Sequence, residues 1–294
     1  MSGNRQHMSL RRNAMLRRRE FLLGAAAISS TFVTAPGKLM AAEATKRQLD
    51  KIGIQLYTVR DRMSTDVPGT LEKIASIGYD EVEFFDYFGL PAAETRKYID
   101  DAGLVSPSTH ISLANMRDTP EQTIEAALTI GHDYIVLGWI APEERTSLDD
   151  YRAHADLSNS FAEQCRTAGL QYAYHNHDFE FVAIDGIRPI DLFLRETDSE
   201  LVQMEMDLYW ITKGGGDPFE FFDKYPGRFP MCHVKDMNAD GSMADVGDGE
   251  IDFAGIFSAS EQAGFQHYFV ERDDPPDSLI SAARSYTATA KLEF

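Results

Sequence analysis

The feature that most constrains this chain is a unit that keeps returning from Lys51 onward: an amphipathic stretch, a glycine, then an apolar run ending in polar residues. Ile74-Ala-Ser-Ile-Gly78 precedes Glu81-Val-Glu-Phe-Phe85, and Asp101-Ala-Gly103 precedes Leu104 to His110. Leu128-Thr-Ile-Gly131 leads to Tyr134-Ile-Val-Leu-Gly138, Thr167-Ala-Gly169 to Leu170–His177, and Gln262-Ala-Gly264 to Tyr268–Glu271. A glycine there supplies the left-handed residue that ends a helix, and near-continuous apolar runs are those of parallel strands buried on both faces. Eight runs are found, at 52–57, 80–85, 104–110, 133–138, 170–176, 201–207, 229–234 and 267–272. Helical patterns fill the gaps over 67–77, 91–102, 118–130, 147–168, 189–197, 217–225, 252–263 and 277–291. Eight alternations in a single domain, residues 45–294, predict an α/β fold of the (β/α)8 TIM barrel type. An open doubly wound sheet would carry a phosphate-binding glycine fingerprint after a strand. None is present: Gly214-Gly-Gly216 precedes Asp217-Pro218, a helix cap with proline at the first helical position, so it reads as a loop.

Ahead of the barrel lies an address. Residues 1–16 are polar and basic, Arg17-Arg-Arg-Glu-Phe-Leu22 follows, and an Ala-rich apolar stretch runs to about Ala35. Small residues around Ala41-Ala-Glu-Ala44 complete the pattern of a cleaved leader, with cleavage expected after Ala42 or Ala44. The Arg18-Arg19-x-Phe21-Leu22 core resembles a twin-arginine export signal, which implies a periplasmic protein. The apolar stretch is too short and too rich in Ala, Ser and Thr to span a bilayer, so no stable membrane insertion is expected.

Residues 45–294 carry 21 Lys and Arg against 45 Asp and Glu, a formal charge of -24. Such a surface repels nucleic acid and anionic lipid. Cys165 falls in a helical pattern and Cys232 inside a strand, so both read as small buried hydrophobes rather than a disulfide.

In a barrel, the carboxyl ends of the strands form the active face. That rule gives scattered polar residues one address: Tyr57 and Arg60 after strand 1, Glu83 and Asp86 on and after strand 2, and His110 ending strand 3. Trp139 follows strand 4, His175 and His177 end strand 5, and Asp207, Tyr209 and Trp210 end strand 6. His233, Lys235 and Asp236 belong to strand 7, Glu271 and Arg272 to strand 8, while the amino ends carry glycine and small or apolar residues. Strands 5 to 8 therefore offer His, Asp, His and Glu to one place, an N/O donor set suited to one divalent ion (Mn, Co, Zn, Fe or Mg). We expect His177, Asp207, His233 and Glu271 as ligands, with the strand-5 choice among His175, His177 and Glu180 open. Glu271, His175, Glu83 and Lys235 are the candidates for proton transfer. Tyr57, His110, Trp139, Glu180 and Trp210 are expected to touch substrate. Asp207 could instead cap a helix, but Asp217 is the better-placed cap.

At these residues the chain resembles the xylose isomerase-like TIM barrel superfamily, the sugar phosphate isomerase/epimerase group, over about residues 50–290. The resemblance rests on Ile52-Gly-Ile-Gln-Leu-Tyr57, Tyr174-His-Asn-His-Asp-Phe-Glu-Phe181 and Met206-Asp-Leu-Tyr-Trp210. It continues through His233-Val-Lys-Asp236, Val246-Gly-Asp-Gly-Glu-Ile-Asp-Phe253 and Phe269-Val-Glu271. It implies a divalent ion held by Glu, Asp, His and Glu from strands 5 to 8, of which Asp207, His233 and Glu271 match the last three. The first does not match: His175-Asn-His177 stands where the epimerases place a glutamate that also serves as one of two bases. The implied chemistry is proton abstraction next to a carbonyl, with the enediolate held by the ion. An exported enzyme would meet a non-phosphorylated sugar, cyclitol or keto-glycoside, and isomerase or epimerase activity is expected. The alternatives are a 3-keto-glycoside lyase or hydrolase, an inosose-type dehydratase, and a non-catalytic carbohydrate-binding barrel. A homodimer is compatible with the type.

Overall fold

A computed structural model describes residues 46–294. The export signal read in residues 1–44, with its cleavage site, lies outside the described residues. Eight parallel strands close into a barrel: β1 (Gly53–Gln55), β2 (Glu81–Phe84), β3 (Val105–Ser112), β4 (Tyr134–Trp139), β5 (Gln171–His175), β6 (Val202–Asp207), β7 (Met231–Val234) and β8 (His267–Val270). Each strand pairs with the next, and β8 returns to β1 through Gly53 opposite Phe269. The helices are α1 (Val67–Ile77), α2 (Ala92–Ala102), α3 (Pro120–Ile130), α4 (Leu148–Ala168), α5 (Pro189–Glu196), α6 (Pro218–Lys224), α7 (Phe253–Ser258) and α8 (Ser278–Lys291). The chain is a (β/α)8 barrel, as its repeating unit predicts.

The glycines end helices as expected. Gly103, Gly131 and Gly169 take φ of 72°, 89° and 88° directly after α2, α3 and α4. Leu71, Ile74, Phe161 and Phe222 are fully buried between helices and strands, and each such side chain stabilises the fold by roughly 1.5–3 kcal/mol. Inside the barrel, Val136, Ala173, Met231 and Phe269 form a separate apolar plug.

Three departures bear on the site. First, β1 stops at Gln55, whose side chain accepts from the Tyr57 amide at 3.1 Å and turns the chain into a 3-10 helix, Leu56–Val59. Tyr57 therefore stands on that helix rather than on the strand. Second, Asp207 does cap a helix: Leu208–Lys213 follows β6 directly, and Asp207 Oδ1 accepts from the Trp210 amide at 2.8 Å. Asp217 caps α6 as well, so the two aspartates do not compete. Third, the amino end of the barrel is not wholly apolar. Glu81, at 2% exposure, lies 2.8 Å from His267 Nδ1 and 3.5 Å from Lys51 Nζ.

The pattern over 252–263 divides into α7 and Ser260–Ala263, because the Ala259 amide bonds the Ile256 and Phe257 carbonyls and tightens the turn. Cys165 and Cys232 are buried and free. Among the described residues no helix is long and apolar enough to cross a membrane.

Candidate metal centre and active site

Side chains two apart along a strand share a face. That places Glu205 with Asp207 on β6, and carries the inward rows of the neighbouring strands on to Lys235 and Glu271 just past β7 and β8. Glu83, Glu205, Asp207 and His233 are all at 0% exposure. Buried carboxylates at this density need compensating positive charge.

The groups form two tiers. In the lower one, Glu83 Oε2 takes hydrogen bonds from Gln55 Nε2 and His233 Nε2, both at 2.7 Å, and Oε1 accepts from Ser108. Glu205 Oε2 lies 2.6 Å from His110 Nε2, 3.1 Å from His175 Nδ1 and 3.2 Å from His233 Nε2. In the upper tier, Asp207 Oδ2 faces Lys235 Nζ at 3.5 Å, His175 Nε2 at 3.7 Å and His233 Nδ1 at 3.8 Å. Glu271 Oε2 lies 2.8 Å from His233 Nδ1 and accepts from Lys235 Nζ at 3.0 Å. Lys235 is also 2.6 Å from Asp273 Oδ1.

The protonation of this cluster follows from its charges. Burial opposes a proton on His233, but Glu205 and Glu271 outweigh it and hold the pKa well above the imidazole range. Burial likewise opposes charge on His110, yet Glu83 and Glu205 raise it to about 10. Burial, reinforced by His233, keeps His175 well below its usual value and neutral. Burial pushes Asp207 up to about 7, against Lys235 and His233. Protons thus supply the positive charge that the carboxylates require, and a divalent cation would supply it equally.

Two groups of donors converge closely enough for such an ion: His110, His175, Glu205 and His233 below, and Asp207, His233 and Glu271 above. In the lower group His110 and His175 both bond Glu205 Oε2, although Glu205 Oε1 is itself buried without a partner among the described residues. In the upper group Asp207 Oδ2 is buried with no hydrogen-bond partner among the described residues, and an unmatched buried carboxylate oxygen is costly. Each histidine also has its second nitrogen engaged below, Nδ1 of His175 on Glu205 and Nε2 of His233 on Glu83. That leaves His175 Nε2 and His233 Nδ1 turned up toward Asp207 and Glu271. A carboxylate behind each imidazole is the arrangement that fixes ring and tautomer at metal sites. Asp207, His233 and Glu271 fit a divalent ion, His175 Nε2 adjoins them at 3.7 Å from Asp207 Oδ2, and Glu83 and Glu205 form the orienting layer.

Above the centre opens a cavity of about 710 Å³. Tyr57, His110, Trp139, His177, Trp210 and Lys235 line it, as do His175 and Glu271. His177 stands past the end of β5, stacked on Phe179 with ring centres 5.1 Å apart and 5.4 Å from Trp210, and its Nδ1 has no partner. The strand-5 donor nearest Asp207 is therefore His175, and His177 belongs to the wall. Burial, with Lys235 adding to it, lowers the His177 pKa to about 3, so the ring is neutral.

Two expected site residues lie elsewhere. Glu180 is absent from the lining: its carboxylate accepts from the Tyr174 hydroxyl and from the His177 amide at 2.8 Å, bracing the loop behind the wall. Glu83 sits beneath the floor with both oxygens bonded, so it orients His233 and cannot reach a substrate. Glu205, Gln55, Asp273 and Arg145 were not singled out in the sequence. The Glu205–Asp207 spacing was the available signal for the first, since the period of two puts both inside. Asp236, next to Lys235, is structural: it accepts from the amides of Met237, Gly247, Gly249 and Ile251 and folds the Val246–Phe253 segment.

Gly138 on β4 makes room for this centre. A Cβ there would lie 2.4 Å from His110 Nδ1 and 2.8 Å from Cγ. Gly138→Ala is expected to displace His110 from Glu205 and to lower stability by about 1–3 kcal/mol, the cost of overpacking. Denaturant unfolding of the ion-free protein checks this, and an unchanged midpoint would mean the ring has slack.

Comparison with known proteins agrees with this architecture. The family model described as xylose isomerase-like TIM barrel matches residues 71–288. A solved sugar phosphate isomerase/epimerase from Parabacteroides distasonis is 27% identical, with a TM-score of 0.71 over 86% of this chain and 96% of its own. The inosose dehydratase of Lacticaseibacillus casei is 24% identical over 169 residues, 49% of this chain and 56% of the relative. The chain thus spans about half the length of the curated relatives it matches. The IolI protein, solved with a bound zinc atom, has a TM-score of 0.66 at 15% identity over 82% of this chain and 97% of its own, a likeness of fold.

Proposed function

The chain belongs to the xylose isomerase-like TIM barrel family, and on that premise we propose an exported enzyme that abstracts a proton beside a carbonyl. The substrate is a non-phosphorylated sugar, cyclitol or keto-glycoside, met in the periplasm to which the Arg18-Arg19 leader would send the protein. The observation that carries the reading is the convergence of Asp207, His233 and Glu271, with His175 Nε2 beside Asp207 Oδ2, at the floor of an aromatic-walled cavity. A divalent ion bound there supplies Lewis-acid polarisation of the carbonyl.

The chain's own groups do the rest. Burial opposes ionisation of Glu271, but Lys235 and His233 outweigh it and keep the carboxylate well below its usual pKa. It is therefore ionised, the form in which a carboxylate can accept the proton from carbon. Burial opposes charge on Lys235 too, yet Glu271, Asp207 and Asp273 hold it protonated. The neutral His177 imidazole, two strands away on the cavity wall, is free to exchange a proton with the substrate's oxygen. Tyr57, Trp139 and Trp210 exclude water and stack against the apolar face of a ring.

His175 in place of a strand-5 carboxylate leaves Glu271 as the one carboxylate base. One-base chemistry, isomerisation or loss of a β-oxygen substituent as water or alcohol, follows more directly than two-base epimerisation. Likeness to inosose dehydratases supports the elimination branch; likeness to an isomerase/epimerase supports the other.

The test is deuterium uptake from D2O into candidate keto-sugars and 3-keto-glycosides, with and without Mn²⁺ restored to chelated protein. Ion-dependent exchange supports enolisation, and product identity separates isomerase from lyase. One ion bound without exchange into any of them would favour a carbohydrate-binding barrel. Glu205→Gln tests the orienting layer separately: ion affinity is expected to fall about 10–100-fold, and unchanged affinity by calorimetry would remove Glu205 from that role.

A further inference from the structure

Besides His110, which Glu83 and Glu205 hold, two basic side chains line the cavity, Lys235 and Arg145, and they differ in what they face. Lys235 is saturated by Glu271, Asp207 and Asp273. Arg145 has no carboxylate within 4.0 Å among the described residues, although residues 45–294 carry 45 acidic side chains. Its neighbour Glu144 is taken by Arg117 at 3.0 Å, and Glu180 spends its oxygens on Tyr174 and the His177 amide. Of the Lys and Arg side chains that line the cavity, Arg145 is thus the one without an ion pair among the described residues, its nearest electrostatic partner being the buried Glu180 behind the wall.

Its setting is rigid. The Arg145 guanidinium lies over the Phe179 ring at 3.3 Å from the centroid, and its Nε donates to the Ile140 carbonyl at 3.1 Å. Phe179 in turn stacks on His177, with 9° between the planes. The guanidinium is thus one layer of an Arg–Phe–His wall that ends on a candidate proton-transfer group. One face and Nε are used by the protein, and the charge also acts on the buried Tyr151 hydroxyl and Glu180 carboxylate, opposing the rise that burial imposes on each; neither residue forms an ion pair with Arg145 that would close the side of the guanidinium toward the cavity. A guanidinium held this way has lost much of its conformational freedom in advance and presents a fork matched to a planar anion.

We propose that Arg145 makes the outer part of this cavity a carboxylate-binding subsite, so that the substrate is an acidic sugar derivative of the uronate class. Its carboxylate lies away from the reacting carbon. A monoanion fits better than a phosphate dianion, because Asp178 and Asp273 line the same cavity and no second free cation stands beside Arg145. The inference rests on the proposed function only in taking this cavity as the substrate site.

The test is calorimetric titration of ion-loaded protein with methyl β-D-glucuronide and methyl β-D-glucoside, which differ in the carboxylate alone, and with glucose 6-phosphate as a third ligand. Wild type should bind the glucuronide about tenfold or more tightly than the glucoside, the scale of a charge-assisted hydrogen bond. Arg145→Gln should remove the difference, and Arg145→Lys should restore part of it while keeping the charge. Equal binding of the two glycosides by wild type, including no measurable binding of either, overturns the proposal, as does a preference that survives in Arg145→Gln. Preference for the phosphate, lost in Arg145→Gln, replaces the carboxylate by a phosphoryl group and overturns it too. Deuterium exchange into neutral keto-sugars reports on the enolising function independently: its absence beside an intact glucuronide preference would sink that function and leave the subsite standing.

Discussion

His233→Ala should strip the centre of its ion, taking bound divalent metal from one per chain to near zero and ion-dependent proton exchange down by about a hundred- to a thousandfold, the scale of losing a preorganised electrostatic contact. The size of the effect comes from the position of one ring. Nδ1 of His233 meets Glu271 and faces Asp207, while Nε2 is held by Glu83 and lies near Glu205. Alanine removes a donor and leaves these carboxylates facing one another at 0–7% side-chain exposure. Breaking a buried ion pair costs about 3–5 kcal/mol, so the ion-free variant should also melt earlier. Asp207→Asn guards against a variant that fails to fold. It keeps the oxygen that caps Leu208–Lys213 and removes the charge of the unpartnered one. Metal analysis after dialysis decides: stoichiometric ion in both variants would move the site away from the upper tier.

Glu271→Gln separates proton transfer from ion binding. The amide has the same shape but cannot take a proton from carbon, and a positioned base contributes about 10²–10⁴ in rate. Exchange should fall by that much, while ion content at saturating Mn²⁺ survives on His175, Asp207 and His233. Lys235 keeps Asp207 and Asp273 as partners, so the fold should tolerate the change. Exchange within tenfold of wild type would shift the base to His177, whose unpartnered Nδ1 makes it the next group to replace.

The two predictions draw on different layers of information. The barrel was readable in the sequence because its signals are local. Gly103, Gly131 and Gly169 end helices wherever they occur, and an apolar run of six or so residues between two helices has few places to go but a buried parallel strand. The carboxyl-end rule gathers Asp207, His233, Lys235 and Glu271 from strand direction alone, since parallel strands all point their ends at one face. Composition spoke to surface charge, and the leader pattern supports the proposed destination.

What the sequence could not decide was depth and direction. His175 and His177 have the same spacing to their neighbours, yet β5 ends between them; the first ring stays with the inward row and the second joins the wall. Glu180 looked like an oxygen donor and proved to be a brace, because the turn at Phe179–Phe181 folds it back on the His177 amide. Glu83 and Glu205 became the layer beneath the candidate metal site only because closing the barrel brings β2 and β6 within reach of His233 on β7. Such contacts join residues up to 150 positions apart. Periodicity along a strand sets which side chains face inward; the stagger and closure of the whole sheet set which of those face each other, and by which atom.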